Sequence, residues 1–344
     1  MHSIKWRRFL FASVVVLLLV VAACAQEEPA GDESEGDGGG AVEAKAPGRA
    51  VEFVVTTSPG GGSDVYARRM ASIIEELDLS TVPWVVVNQE GGSGAVAMQY
   101  LHSKVGASNA VLITLNSVFT TPQLQDLPFA SISEDFTPIA SMALDAFALW
   151  ANTDTWETYE EFEAEAKQRS LTVAGTGARQ EDEVLLNLLV RAAGLKKVRY
   201  VPQEGGGDVA AQLAGGHVDF SLNNPSEGLP HYPDRLRPLV VFTPERMDAW
   251  PDVPTFEEVG LDAPELDYRQ VRGIVGAPGM PEENQLWFED IFRQVFESDQ
   301  WQDALEEELL IGEFLVGDEF GDMLREYDEL HTELMIDIGW VEED

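Results

Sequence analysis

Cysteine and basic side chains are what this chain has least of. One residue in 344 is a cysteine, Cys24, so no intramolecular disulfide can form. Lysine is nearly as scarce, and the 22 Lys and Arg residues face 61 Asp and Glu residues, a formal net charge of -39. A polyanion of that strength is repelled by phosphate backbones, which excludes a nucleic-acid partner. The histidines (His2, His102, His217, His231 and His331) never stand at metal-ligand spacing, and there is no HExxH pair. No G-x-S-x-G elbow occurs, and Pro59 to Asp64 has neither the lysine of a P-loop nor the spacing of a dinucleotide fingerprint. The residues therefore predict no metal, no cofactor and no catalytic group.

Long apolar runs are absent with one exception. Phe9 to Ala23 follows the basic start Lys5, Arg7 and Arg8. It is shorter than the ~20 residues that a membrane-spanning helix needs, and it ends in small residues, as a secretory signal does. Val21-Ala22-Ala23-Cys24 has the form of a bacterial lipobox. The expectation is a signal peptide over 1–23, a lipidated Cys24 as mature N-terminus, and a protein held at a membrane outside the cytoplasm. Residues 24–49 are rich in Glu, Asp, Gly and Ala with almost nothing to bury, which predicts a flexible tether. The acidic excess continues into the body, and only Arg293 and Arg325 are basic beyond Pro281. In concentrated salt, where the Debye length shrinks to ~3 Å at 1 M, such self-repulsion is screened; the composition suits a protein of saline surroundings.

At 44% hydrophobic residues, the rest of the chain has the composition of a globular protein, long enough for about two domains. Apolar strand patterns at Val51–Val55, Trp84–Val87 and Ala110–Leu115 alternate with helical ones, and a second set runs from Ala146 to Phe242. Ser63 or Asp64 is expected to cap the first helix, with Ala67, Met70, Ala71, Ile74 and Leu77 on its apolar face. Strand–helix alternation predicts an α/β fold of mostly parallel sheets flanked by helices. Two lobes are expected, 50–148 with 270–344 and 149–269, with a ligand cleft between them.

Glycine-rich turns stand between strand and helix at 60–62, 91–94, 175–177 and 205–207. Such turns aim backbone N–H groups and helix N-termini at an anion. The run Ser58-Pro59-Gly60-Gly61-Gly62-Ser63-Asp64 with Ala67-Arg68 resembles the opening motif of the tripartite tricarboxylate transporter receptors, the TctC or Bug family. Val87-Asn88 with Gly91 and Gly94, Gly175-Thr176-Gly177 with Gln180-Glu181-Asp182, and Val201-Pro202 with Gly205-Gly206 are similar to its later loops. Leu213-Ala214-Gly215-Gly216-His217-Val218-Asp219, Pro251 to Thr255 and Ala277-Pro278-Gly279 complete the series in order. The resemblance implies a type II-like periplasmic-binding-protein fold that closes on a small carboxylate, a di- or tricarboxylate or an aromatic one. It also implies delivery to membrane permease subunits, by a protein expected to be monomeric. Gln203 and Ala178 depart from the family pattern and bear on ligand choice.

The expected ligand-side residues follow from these loops: Ser58, Gly60, Gly61, Gly62, Ser63, Asp64, Gly91, Gly92, Thr176, Gly177, Ala178 and Arg179. Asn223 and Asn224 end an apolar strand with side chains that donate and accept. Arg272 lies inside another such strand, where a buried guanidinium needs a carboxylate, either the ligand's or a structural Asp or Glu. Asp64 has a bland alternative in an ion pair with Arg68 four residues on. A receptor that reports to a sensor protein, and a secreted hydrolase, are the competing functions.

Overall fold

The fold is described from a computed structural model over residues 42–342, so the signal and Cys24 expectations lie outside the described residues. The first sheet draws on β1 (Val51–Val55), β2 (Trp84–Asn88), β3 (Ala110–Ile113) and β4 (Thr137–Asp145). Helices α1 (Gly62–Glu76), α2 (Ala95–His102), α3 (Ser117–Leu124) and the one-turn α4 (Ile132–Asp135) connect them. The second sheet draws on β5 (Ala148–Asn152), β6 (Thr172–Thr176), β7 (Arg199–Gln203), β8 (Phe220–Asn223) and β9 (Leu236–Val241). Between these run α5 (Tyr159–Ala166), α6 (Glu181–Ala192), α7 (Gly206–Ala214) and the one-turn α8 (Pro225–Gly228). The chain then returns to the first sheet as β10 (Gln270–Gly276) and ends in α9 (Glu282–Glu297), α10 (Asp299–Glu307) and α11 (Gly317–Asp337).

The two sheets share one plan, β2-β1-β3-β10-β4 and β7-β6-β8-β5-β9. In each, three strands are parallel neighbours joined by helical crossovers. The fourth, β10 or β5, runs antiparallel to both of its neighbours. Four strands of five thus point the same way, and the reversed strand is the one that arrives from the other lobe. Each sheet is buried on both faces, as near-continuous apolar strands require. Phe53, Ile113, Ile274 and Phe292 pack on one side of the first, and Phe162, Val173, Leu185 and Phe220 form the core of the second.

Several expectations are corrected. Strand β4 was not anticipated, because Pro138 and Ser141 interrupt its apolar pattern; neither were α3 and α4. Helix α1 begins at Gly62 with Gly61 as its N-cap residue, so Ser63 and Asp64 sit inside its first turn and neither caps it. Tyr66 and Ile73 join the buried face of α1, whereas Leu77 is 39% exposed beyond its end. The flexible tether does not extend to Arg49. The Lys45 N–H donates to Glu283 O at 2.7 Å, Asn284 Nδ2 donates back to Lys45 O, and Arg49 Nε donates to Asn109. Among the described residues no helix is long and apolar enough to cross a membrane.

Candidate ligand-binding site

The C-terminal ends of β1 and β3 in one sheet face those of β6, β7 and β8 in the other, where ligands of open α/β sheets bind. A cavity of about 70 Å³ lies there. Its wall is built from the starts of three helices: Gly61, Gly62 and Ser63 at α1, Gln180, Glu181 and Asp182 at α6, and Gly205 and Gly206 at α7. Thr57, Thr176, Glu204, Asn224, Glu227, Gln270 and Arg272 complete its polar surface, and Leu115 and Phe147 its apolar one. A larger recess of about 790 Å³, between Thr243–Ala249 and Leu305–Ile311, holds none of the glycine turns and no helix start.

Of the expected ligand-side residues, the fold brings Gly61, Gly62, Ser63, Thr176, Asn224 and Arg272 to this cavity. Glycine is required at 61 for space, since a Cβ would stand 2.7 Å from the Thr57 side chain. Ser58, Gly60, Gly91, Gly92, Ala178 and Arg179 are instead exposed and outside the lining. Gly177 and Gln203 are outside it as well. The Arg179 guanidinium lies over the Trp340 ring at 5.9 Å. Asp64 turns back into its own loop. It accepts from the Gly60 N–H at 2.8 Å, from Asn88 Nδ2 at 2.9 Å and from Arg68 Nε at 2.9 Å. These bonds outweigh burial and hold its carboxyl below the usual range, so the bland alternative is the one the fold adopts. Asn223 is spent on structure too, donating to Gly206 O at 3.0 Å.

Arg272 found a structural partner. Its Nη2 stands 2.5 Å and its Nε 3.2 Å from Asp145 Oδ2, with the guanidinium 4.7 Å above the Tyr66 ring. Burial works against this charge, but the Asp145 carboxylate more than offsets it and raises the Arg272 pKa. Glu181 bridges the two sheets: its Oε1 accepts from the Ser117 N–H at 3.0 Å and from Gln270 Nε2 at 2.9 Å. Asp182 accepts from the Thr176 N–H at 2.6 Å and so fixes the turn after β6. Burial pushes the carboxyl of Asp182 well above its ordinary range, with Glu181 and Glu227 adding to the effect. Sequence reasoning did not single out Asp145, Glu227 or Gln270, and it placed Glu181 and Asp182 in the third-loop motif without giving them a part in the site. The signal available was a charged residue at the end of an apolar strand, as at Asp145, or in the first turn after a glycine loop, as at Glu181 and Asp182.

Two sheets of one plan, a cleft at their junction and a wall of helix starts define a two-lobed solute receptor of the periplasmic-binding class. Residues 67–308 match the family described as "Tripartite tricarboxylate transporter family receptor", and the chain belongs to that family. Its members are extracytoplasmic substrate-binding receptors of transporters, not enzymes. Protein BugT of Bordetella pertussis is 26% identical over 219 residues, 62% of this chain and 67% of BugT. Among solved structures, MatC from Rhodopseudomonas palustris with bound malate superposes with a TM-score of 0.72 at 21% identity, covering 84% of this chain and 99% of MatC. A second R. palustris protein, with adipate, gives 0.75 at 22% identity, covering 85% and 98%. These likenesses establish the fold.

Proposed function

We propose that this protein captures a small carboxylate between its lobes and hands it to the permease subunits of a tripartite tricarboxylate-type transporter. The lobes are 50–148 with 270–344 and 149–269, the end of α11 reaching over from the first into the core of the second, and the working unit is a monomer tethered to the membrane by a lipid on Cys24, in saline surroundings. The observation that carries this reading is the cavity at the junction, walled from both sheets by helix starts with Arg272 beside them. Each helix terminus favours an anion by ~0.3–1 kcal/mol, up to ~2 when partly buried. Micromolar binding requires ~8 kcal/mol. The remainder falls to Arg272, to hydrogen bonds at Thr176 and Asn224, and to expelled water. A ligand touching both lobes favours closure, because it binds the closed state better.

The test is mass spectrometry of small molecules released from the purified protein, followed by calorimetry and small-angle scattering with the acid identified. A carboxylate that binds at micromolar concentration and contracts the protein is the expected result. Release of no carboxylate, or binding without contraction, would refute the reading. Cys24→Ser is expected to move the protein from the membrane to the soluble fraction.

A further inference from the structure

Of the cleft acids withdrawn from the surface, Glu181, Asp182 and Glu227, among the described residues only Glu227 has no hydrogen bond that ties its carboxyl into the fold. It projects from α8 into the cavity wall. Among the described residues no side chain donates to it, and the Asn224 backbone N–H is the donor beside it. Its place is nonetheless built. A Cβ on Gly206 would fall 1.7–2.1 Å from the Glu227 carboxyl atoms. Gly206 is not among the residues with positive φ, so glycine serves there to leave room for that carboxyl. On the other flank, a Cβ on Gly228 would meet the Trp150 ring at 2.4 Å, which fixes where the α8 turn sits.

The charges around Glu227 come from both lobes. They are Arg272 on β10, Asp145 on β4, Glu181 and Asp182 on α6, and Glu204 after β7. Arg272 is already matched by Asp145. A ligand with two ionised carboxylates would therefore bring its second charge to a wall of acids without a free cation, in a chain of net charge -39.

We infer that the ligand carries a single carboxylate together with an ammonium group, and that Glu227 is the residue that receives the ammonium. This narrows the proposed carboxylate reading and rests on it. Burial first, and then Asp145 and Glu181, push the Glu227 carboxyl up to about 7 against the pull of Arg272. The two ligand types consequently respond to pH with opposite sign. An ammonium binds the ionised carboxylate and gains affinity as pH rises through 7. A second ligand carboxylate needs the protonated form and loses affinity over the same range.

The experiment is calorimetry in constant high salt between pH 6 and 8, with β-alanine and γ-aminobutanoate set against their dicarboxylate counterparts succinate and glutarate. The expected result is at least tenfold tighter binding of an aminocarboxylate than of its counterpart, strengthening toward pH 8. Glu227→Gln should weaken that binding tenfold or more and flatten its pH dependence, with a thermal melt showing the variant folded. Gly206→Ala, which displaces the carboxyl without removing it, should reproduce the loss. Preference for the dicarboxylates, weakening as pH rises, would overturn the inference and make Glu227 a proton-carrying donor. Aminocarboxylate binding indifferent to both substitutions would overturn it as well, leaving the carboxylate reading intact. No binding of any of the four acids by the folded protein would overturn the inference too, while the carboxylate reading stands or falls separately on the acid released from the purified protein.

Discussion

Replacing Asp145 by Ala removes the only counter-charge among the described residues within hydrogen-bond reach of Arg272, whose side chain is 6% exposed. Removing one partner of a buried ion pair costs ~3–5 kcal/mol, because the other charge stays behind without compensation. Here both hydrogen bonds from Arg272 run to one oxygen, Oδ2, while Oδ1 is buried without a partner. Glu227 also stands close enough to feel Arg272 and can ionise in response. Both facts place the cost at the lower end, about 3 kcal/mol. Unfolding entropy of ~2.1 cal/mol/K per residue over roughly 300 residues gives ~0.6 kcal/mol/K, so Tm should fall by about 5 °C. Arg272→Met should cost a similar amount by stranding the Asp145 carboxylate. The pair Asp145→Leu with Arg272→Met, which replaces both charges by apolar groups, should regain most of the loss. Thermal melts at constant high salt measure all three variants. Additive losses in the double variant, or an unaltered Tm in Asp145→Ala, would refute the claim that these residues serve chiefly each other.

Glu181→Ala deprives Ser117 N–H and Gln270 Nε2 of their acceptor across the cleft. It should shift the unliganded protein toward an open form by about 1–2 kcal/mol, five- to thirtyfold; an unchanged radius of gyration in small-angle scattering would contradict this. His331 is fully buried, with Nδ1 donating to Tyr327 O at 2.7 Å and Nε2 accepting from Tyr268 Oη at 2.8 Å, the neutral tautomer. Burial pushes its pKa down to about 4, below the unfolded value near 6.5, so its contribution is complete above pH 6.5 and is lost as pH falls toward 4. Between pH 7 and 5 this amounts to about 2 kcal/mol, and His331→Gln should lack that part of the acid destabilisation in denaturant titrations. Melting temperature should climb from dilute buffer to molar potassium chloride as the self-repulsion of a -39 chain is screened; a flat profile would count against the saline reading.

Helices α1, α2, α6 and α7 and the strands before them were legible because a glycine turn marks each of those junctions, whereas α3, which follows β3 without a glycine, was not. The reversed strands were not distinguishable, since an apolar run such as Val271–Val275 reads the same in either direction. Direction is set by where the chain returns from, a property of the whole fold. The cleft was legible in its backbone, at Gly61, Gly62 and Thr176, and in Arg272. Its acids were not, because in a sequence with 61 acidic residues a single Glu or Asp carries little information. Asp64 stayed open between two readings for a related reason: a carboxylate beside a glycine loop can serve a ligand or the loop, and only the positions of Asn88 and Arg68 decide between them.

Helix α11 sets the mechanics of the molecule. Near its start Phe320 and Leu324 are sunk in the core beside β3 and β10, and near its end Leu334 is sunk in the core of the other lobe. A rod embedded at both ends behaves as a strut across a joint. The lobes are joined covalently by the two residues Ala146–Phe147 and by the segment between β9 and β10. Swinging wide would pull one end of the strut from its socket and expose apolar surface at ~25 cal/mol per Å². The inexpensive travel is therefore a short rocking motion in which Leu334 keeps its seat.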